Sequence, residues 1–340
     1  MSPTYTVPTL SVVIIGRNEG SHLERCIRSV KAIRNWAGRI EIIYVDSGST
    51  DSSCARAHDL GCTVINVTSD RPSAARGRNA GWRRACAPLV LFLDGDTILD
   101  PDFPATAAAA LAEPKVAAVC GRRREIHPDG SLYNRVLDLD WISSPGSVEF
   151  CGGDALIRRE ALLAAGGYDD TLIAGEEPDM CRRMRGLGWQ ILHLDCPMTG
   201  HDLAMYRWQQ YWSRAVRTGY AYAEVSERYA STAMPLWLSE SRSNLKRGGF
   251  WAFVSLTAIL AAAFGRSSLP LAAALLLLIG MSVRTARRFS WKSSEKVTLF
   301  LYGLHSHVQQ LPIMVGQFSY WRAKRRGRGR RLIEYKESGA

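Results

Sequence analysis

Short, uninterrupted apolar runs alternate with amphipathic stretches through the first hundred residues. Residues 10–15, Leu-Ser-Val-Val-Ile-Ile, are β-branched and apolar, the pattern of a strand buried on both faces. Residues 19–33 follow with Leu23, Ile27 and Val30 at helical spacing. Residues 40–45 read as a second buried strand, 51–60 as its helix, and 62–67 as a third strand. A helix over 73–86 leads into a fourth strand at 89–93. Strand and helix alternating four times with short connections predict an α/β fold with a parallel, Rossmann-like sheet.

Later in the chain the pattern changes. Between Phe250 and Val283 only Arg266 is charged, which marks a boundary near 240–248, where Lys246, Arg247, Gly248 and Gly249 read as a short basic hinge. The expected division is 1–245, a globular part with halves at about 8–100 and 101–245, followed by 246–340. Residues 250–265 and 268–283 are apolar stretches of 16 residues each. That is short of the roughly 20 a straight membrane span needs, so two buried core helices are the competing reading. The second stretch, however, is apolar all round. Lys246 and Arg247 precede the pair, Arg284, Arg287 and Arg288 follow it, and only Arg266 occupies the turn. These flanks predict a membrane hairpin with both ends and the globular part on the cytoplasmic side. Residues 295–321 are apolar but carry His305, His307, Gln309, Gln310 and Gln317, and read as an interfacial or re-entrant segment, with a third span as the alternative. The basic run 322–331 would lie against anionic lipid.

The formal charge of +11 calls for an anionic partner without naming it; nucleic acid, acidic lipid and phosphorylated substrates all fit. The eight cysteines include no Cys-x-x-Cys pair and no zinc-ligand spacing, so reduced thiols in a cytosolic part are the simplest account. The first residues lack the basic-then-apolar pattern of a secretory signal, so none is expected.

In parallel sheets ligands bind beyond the carboxyl ends of the strands. Those positions hold Arg17-Asn18-Glu19, Asp46 to Asp51, and Asp94-Gly95-Asp96. Neither a dinucleotide-binding Gly-x-Gly-x-x-Gly nor a Walker A loop is present. Asp94 and Asp96 flank a glycine after an apolar strand and can converge on a divalent cation that keeps open positions for diphosphate oxygens, with Gly95 allowing an unusual backbone. A polar turn with a helix cap is the equal alternative. Asp51 reads as a cap for the following helix, whereas Asp46 has no such local role and is the better ligand candidate. In residues 73–81 small side chains let the backbone approach a ligand, and Arg76 or Arg78 can reach phosphate or base. Residues 149–158 read as a glycine-kinked strand entering a helix that Gly166-Gly167 closes. Glu176, Glu177 and Asp179 fall at a helix start with Pro178, where the macrodipole favours them; one of them can instead act as a general base. His201 is either structural or a metal ligand.

Six segments in this order resemble the family 2 glycosyltransferases, which have the GT-A fold: a mixed Rossmann-like sheet with helices on both faces. They are Ser-Val-Val-Ile-Ile-Gly-Arg-Asn-Glu at 11–19, Val-Asp-Ser-Gly-Ser-Thr-Asp at 45–51, Gly-Arg-Asn-Ala-Gly at 77–81, Asp-Gly-Asp at 94–96, Gly-Gly-Tyr-Asp-Asp at 166–170, and Glu-Glu-Pro-Asp at 176–179. The resemblance covers about 8–205. It implies a nucleotide-sugar site at Arg17, Glu19, Asp46, Arg78 and Asp94, and Mg²⁺ or Mn²⁺ on Asp94, Asp96 and His201. It also implies Glu177 as general base, with Glu176 and Asp179 as second choices.

The implied reaction is inverting, hexosyltransferase-like transfer from a nucleotide-sugar, UDP-sugar favoured. Ser47 stands where the family has a second Asp, which leaves uridine specificity open. Gln209-Gln-Tyr-Trp-Ser-Arg214 lacks the order of the processive Gln-x-x-Arg-Trp motif, so one sugar per acceptor is expected. The membrane end then suggests a lipid-linked or glycan acceptor in cell-surface or exopolysaccharide synthesis, at the cytoplasmic face of a bacterial inner membrane. Competing readings are a nucleotidyltransferase, a catalytically silent sugar-nucleotide binder, and a membrane-anchored nucleic-acid binder acting through the basic tail. The last is disfavoured because 322–331 carries no aromatic residue, so no nucleic-acid partner is expected.

Overall fold

The computed structural model describes residues 7–327. By internal packing these residues form two compact units. One takes in the chain up to Ile126 together with Ser143–Asp202, and the other His127–Ile142 together with the chain from Leu203 onward.

The first unit is built on a mixed sheet of nine strands. Its parallel half contains β1 (Leu10–Gly16), β2 (Ile40–Asp46), β3 (Thr63–Asn66) and β4 (Leu89–Asp94), in the order β3-β2-β1-β4. This is the half that periodicity predicts, and its apolar side chains are buried as a continuous core. The intervening helices are α1 (Ser21–Lys31), α2 (Ser53–Asp59) and α3 (Ala74–Arg84). Leu23, Ile27 and Val30 of α1 are buried, as their spacing requires. The Ser73 hydroxyl accepts from the Arg76 amide to start α3. Gly81 lets that helix lie on the sheet, because a Cβ there would collide with Val13.

Beyond β4 the sheet turns mixed. The remaining strands are β5 (Thr97–Leu99), β6 (Val116–Glu125), β7 (Gly146–Val148), β8 (Ala155–Arg158) and β9 (Gln190–His201). Strand β8 runs antiparallel between β4 and β6, β6 lies parallel to β9, and β5 and β7 pair antiparallel with β9. The helices of this half are α4 (Phe103–Ala110), α6 (Arg159–Ala165) and α7 (Glu176–Gly186); α5 (Leu132–Asp138) belongs to the second unit. The strand expected over 149–158 occupies only its last four residues; Cys151 to Asp154 form an approach loop. Gly166, with φ 77°, ends α6 as expected.

The second unit is helical, with α8 (Trp208–Tyr229), α9 (Leu238–Gly265), α10 (Leu269–Arg288), α11 (Lys296–Val308) and α12 (Gln310–Arg325) alongside α5. Lys246, Arg247, Gly248 and Gly249 are not a hinge. They lie inside α9, a continuous helix of 28 residues. Gly248 sits where α12 crosses, and a Cβ there would come within 2.7 Å of the Gln310 carbonyl. Composition records where apolar surface begins, and here that point falls mid-helix. Helices α9 and α10 are both long and apolar enough to cross a membrane, and only 17% and 6% of their most apolar windows are buried. Burial inside this chain therefore does not explain their composition. Residues 295–321 fall mostly in α11 and α12, neither of which qualifies as a span, and His305, His307, Gln310 and Gln317 are buried in this unit. The basic run 322–331 is described only to Gly327; the rest lies outside the described residues. All eight cysteines are free thiols.

Candidate functional site

The ends of β4, β5 and β9 meet at one point. Asp94 closes β4, Gly95 and Asp96 form the turn into β5, and antiparallel pairing sets Thr97 opposite His201. Asp94, Asp96 and His201 each offer a ligand atom, all within 4.8 Å of one another. His201 Nε2 lies 3.4 Å from Asp96 Oδ1. Two carboxylates and an imidazole within ligand distance of one point fit a divalent ion.

Gly95 is needed for space rather than for an unusual backbone: its φ is not positive, but a Cβ would lie 2.9 Å from Glu19 Cγ and 3.2 Å from the Ile15 carbonyl. Glu19 thus packs against the Asp-Gly-Asp turn, while the Arg17 side chain is exposed at the same strand end.

Arg78, on α3, is almost fully buried and joins the two acidic groups of the site. Its Nη2 donates to Asp94 Oδ1 at 2.9 Å, and its Nη1 donates to Glu176 Oε1 and Glu177 Oε1, each at 2.9 Å. Burial alone would raise the Asp94 carboxyl, but Arg78 and Arg123 outweigh it and hold it below the usual carboxylate range. The three carboxylates of α7 differ in access. Asp179 is fully buried and paired with Arg183 at 2.6 Å, Glu176 is 5% exposed, and Glu177 keeps 17%. Gly175, with φ 87°, precedes this turn and sets the helix start.

Asp46 has a local role that its sequence context did not reveal. Its carboxylate accepts from Tyr44 Oη at 2.9 Å, from the Gly48 amide at 2.9 Å, and from the Ser49 amide and hydroxyl at 2.7 and 2.5 Å. It braces the loop after β2. Ser52, not Asp51, occupies the cap position of α2 and makes no side-chain cap bond; Asp51 accepts from the Ser53 amide and from the Gly20 amide of the neighbouring loop.

Two residues escaped the sequence reading. Asp154, wholly buried, accepts from Arg123 Nη2 at 2.6 Å, from Thr199 Oγ1 at 2.7 Å and from the Asp94 amide at 3.1 Å. Burial raises its carboxyl despite the opposing pull of Arg123. Arg123 also reaches Asp94 at 3.5 Å. The available signal was a carboxylate directly after Gly152-Gly153. A Cβ on Gly153 would collide with the Arg78 guanidinium and come within 3.1 Å of Asp94 and 3.3 Å of Glu177.

The pattern of the family described as Glycosyl transferase family 2 matches residues 11–163, and that of Glycosyl transferase family group 2 matches residues 89–291, more than half of the chain. The chain belongs to the family 2 glycosyltransferases. Among solved structures, this glycosyltransferase is similar to the mannosyltransferase PcManGT of Pyrobaculum calidifontis in complex with GDP-Man and Mn²⁺. The TM-score is 0.60 and the identity 21%, over 88% of this chain and 86% of that one. It is also similar to S. aureus TarS 1-349 in complex with UDP, with a TM-score of 0.51 and 13% identity over 97% of both chains. These likenesses show the GT-A fold. Among curated proteins it is 28% identical to an N-acetylglucosaminyltransferase of Mesorhizobium japonicum over 46% of this chain and 41% of the relative. It is 26% identical to the pre-mycofactocin glycosyltransferase of Mycobacterium tuberculosis over 57% of this chain and 42% of the relative. The matches therefore span less than half the length of these two relatives.

Proposed function

We propose that this glycosyltransferase moves a single hexose, with inversion, from a nucleoside-diphosphate sugar to a hydroxyl of a lipid-linked glycan at a membrane surface. The observation that carries the reading is the junction of Asp94, Asp96 and His201 with Arg78 and Glu177. It supports a donor on the β1, β2 and β4 side, near Arg17, Glu19, Asp46 and Asp94, and an acceptor on the α7 side.

Asp94, Asp96 and His201 would hold Mg²⁺ or Mn²⁺, which supplies Lewis-acid neutralisation of a departing diphosphate. The rest falls to the chain's own groups. Arg78 holds Glu177 in place, and a diphosphate arriving beside Asp94 competes for the same guanidinium. That competition frees the Glu177 carboxylate to take the proton of the attacking hydroxyl, so the base is released only when a donor is bound. Glu176 and Asp179 are less suited, being more deeply buried and, for Asp179, committed to Arg183. UDP-sugar is the favoured donor, with GDP-sugar next, since structural neighbours hold UDP and GDP-Man.

The exposed apolar helices α9 and α10 support attachment as a hairpin with the catalytic unit on the cytoplasmic face. A cytoplasm-facing, lipid-linked acceptor suits cell-surface or exopolysaccharide synthesis. Donor hydrolysis across UDP-, GDP- and dTDP-sugars with Mn²⁺ or Mg²⁺ tests the reading. One donor should be turned over by the unaltered chain and not by Glu177→Gln or Asp96→Ala; normal turnover by either variant sinks the assignment.

A further inference from the structure

Within the helical unit, α9, α10 and α11 line a half-open cavity of about 600 Å³. Its walls carry Arg247, Arg284 and Arg288, with Ser243, Thr285 and His307 beside them, and no acidic residue. None of the three arginines is paired with a carboxylate among the described residues. Arg247 Nη2 donates to the Ser306 carbonyl at 2.7 Å, and the Arg288 guanidinium lies 5.8 Å from the Phe289 ring centroid. His307, 6% exposed, meets Thr285 Oγ1 through its ring Nε2 at 3.1 Å. Three guanidinium groups around one open cavity favour an entering anion, and Arg is the side chain best suited to phosphate oxygens.

Position narrows the anion. Arg247 precedes the apolar part of α9, and Arg284 and Arg288 follow that of α10, so all three stand at the end of the hairpin away from its turn at Arg266. Met281 and Phe289 add apolar lining. We propose that this cavity binds the phosphate headgroup of an anionic lipid, with the guanidinium groups on the phosphate and the apolar side toward the acyl chains. The proposal rests on the reading of α9 and α10 as a membrane hairpin, since that places the cavity at headgroup level.

The test uses the full chain in a neutral detergent, titrated by calorimetry with dihexanoyl phosphatidic acid, with dihexanoylglycerol, and with inorganic phosphate alone. Phosphatidic acid should bind saturably, and R247Q/R284Q/R288Q should weaken it by about tenfold or more. R322Q/R325Q/R326Q, which removes equal charge outside the cavity, should change it by less than about twofold. R247K/R284K/R288K should recover part of the affinity, and an unchanged unfolding temperature with unchanged donor hydrolysis would show that the glutamine variant is folded. Equal losses in the two glutamine variants, or inorganic phosphate binding as tightly as the lipid, would overturn the proposal. Extraction of the chain by salt without detergent would sink the hairpin reading separately, and failure of donor hydrolysis would bear only on the proposed reaction.

Discussion

Arg78 Nη1 lies 2.9 Å from Glu177 Oε1 while its Nη2 lies 2.9 Å from Asp94 Oδ1, so one buried guanidinium ties the end of β4 to the first turn of α7. Three carboxylates depend on this cation for charge compensation. Arg78→Ala should lower stability by about 3–5 kcal/mol, read from urea unfolding, because it strands buried negative charge. Arg78→Lys should keep much of the stability but lose transfer by at least about tenfold, since an ammonium cannot span both sides. Normal transfer by the lysine variant would remove Arg78 from the mechanism.

Gly153→Ala isolates geometry from charge. The added methyl drives the Arg78 guanidinium away from its place between Asp94 and Glu177. Turnover should fall by at least about tenfold, with the chain still folded by circular dichroism. Unaltered kinetics would mean that the Arg78 position is not critical.

Chelation checks the acidic junction. EDTA should abolish donor hydrolysis, and Mn²⁺ or Mg²⁺ should restore it. His201→Ala should weaken Mn²⁺ binding, followed by its paramagnetic resonance, by at least about tenfold. An unchanged affinity would assign His201 a structural part against Asp96.

Asp140 predicts a pH dependence for the helical unit. Its carboxylate accepts from Tyr302 Oη at 3.1 Å and meets His305 Nε2 at 3.2 Å, while His305 Nδ1 contacts Tyr211 Oη at 2.8 Å. Burial would raise the Asp140 carboxyl, but His305, with smaller contributions from Arg214 and Lys292, holds it below its ordinary value. A lowered folded value stabilises at pH above the ordinary carboxylate range, and that stabilisation is lost as pH falls through the lowered value. Asp140→Asn should therefore cost about 0.5–1 kcal/mol at neutral pH and progressively less below about pH 4, measured by chemical denaturation at several pH values. A pH-independent difference would contradict this account.

The hairpin is tested by charge. Leu256 and Leu276 are 56% and 67% exposed, so a soluble helix would tolerate arginine at either position. In a membrane each should cost about 2.5–3.5 kcal/mol when deeply placed, and L256R/L276R should shift the chain out of the floating fraction in a vesicle flotation assay. Undiminished flotation would argue against insertion.

The contrast between residues read correctly from their neighbours and residues that were not has a physical origin. Leu10 to Ile15, Ile40 to Val45 and Leu89 to Leu93 announce themselves because strands buried on both faces must be apolar throughout. The local role of Asp46 is not legible in its neighbours, because the bonds from Tyr44, Gly48 and Ser49 depend on how the loop after β2 folds back. Nothing local distinguishes Lys246, Arg247, Gly248 and Gly249 from a linker; that they continue α9 goes with α12 packing at Gly248.

By itself the sequence determined the parallel half of the sheet, the family, and the acidic ends of β2 and β4, because each follows from side-chain period or from a contiguous motif. The grouping of His201 with Asp94 and Asp96 was implied by the family resemblance, whereas tertiary structure alone decided that Arg78 reaches Glu177 and that Arg123 and Asp154 brace Asp94. Those partners come from strands and helices far apart in the chain. Local hydrophobic periodicity says which face of an element is buried, but only the order in which strands pair says which residues meet across it.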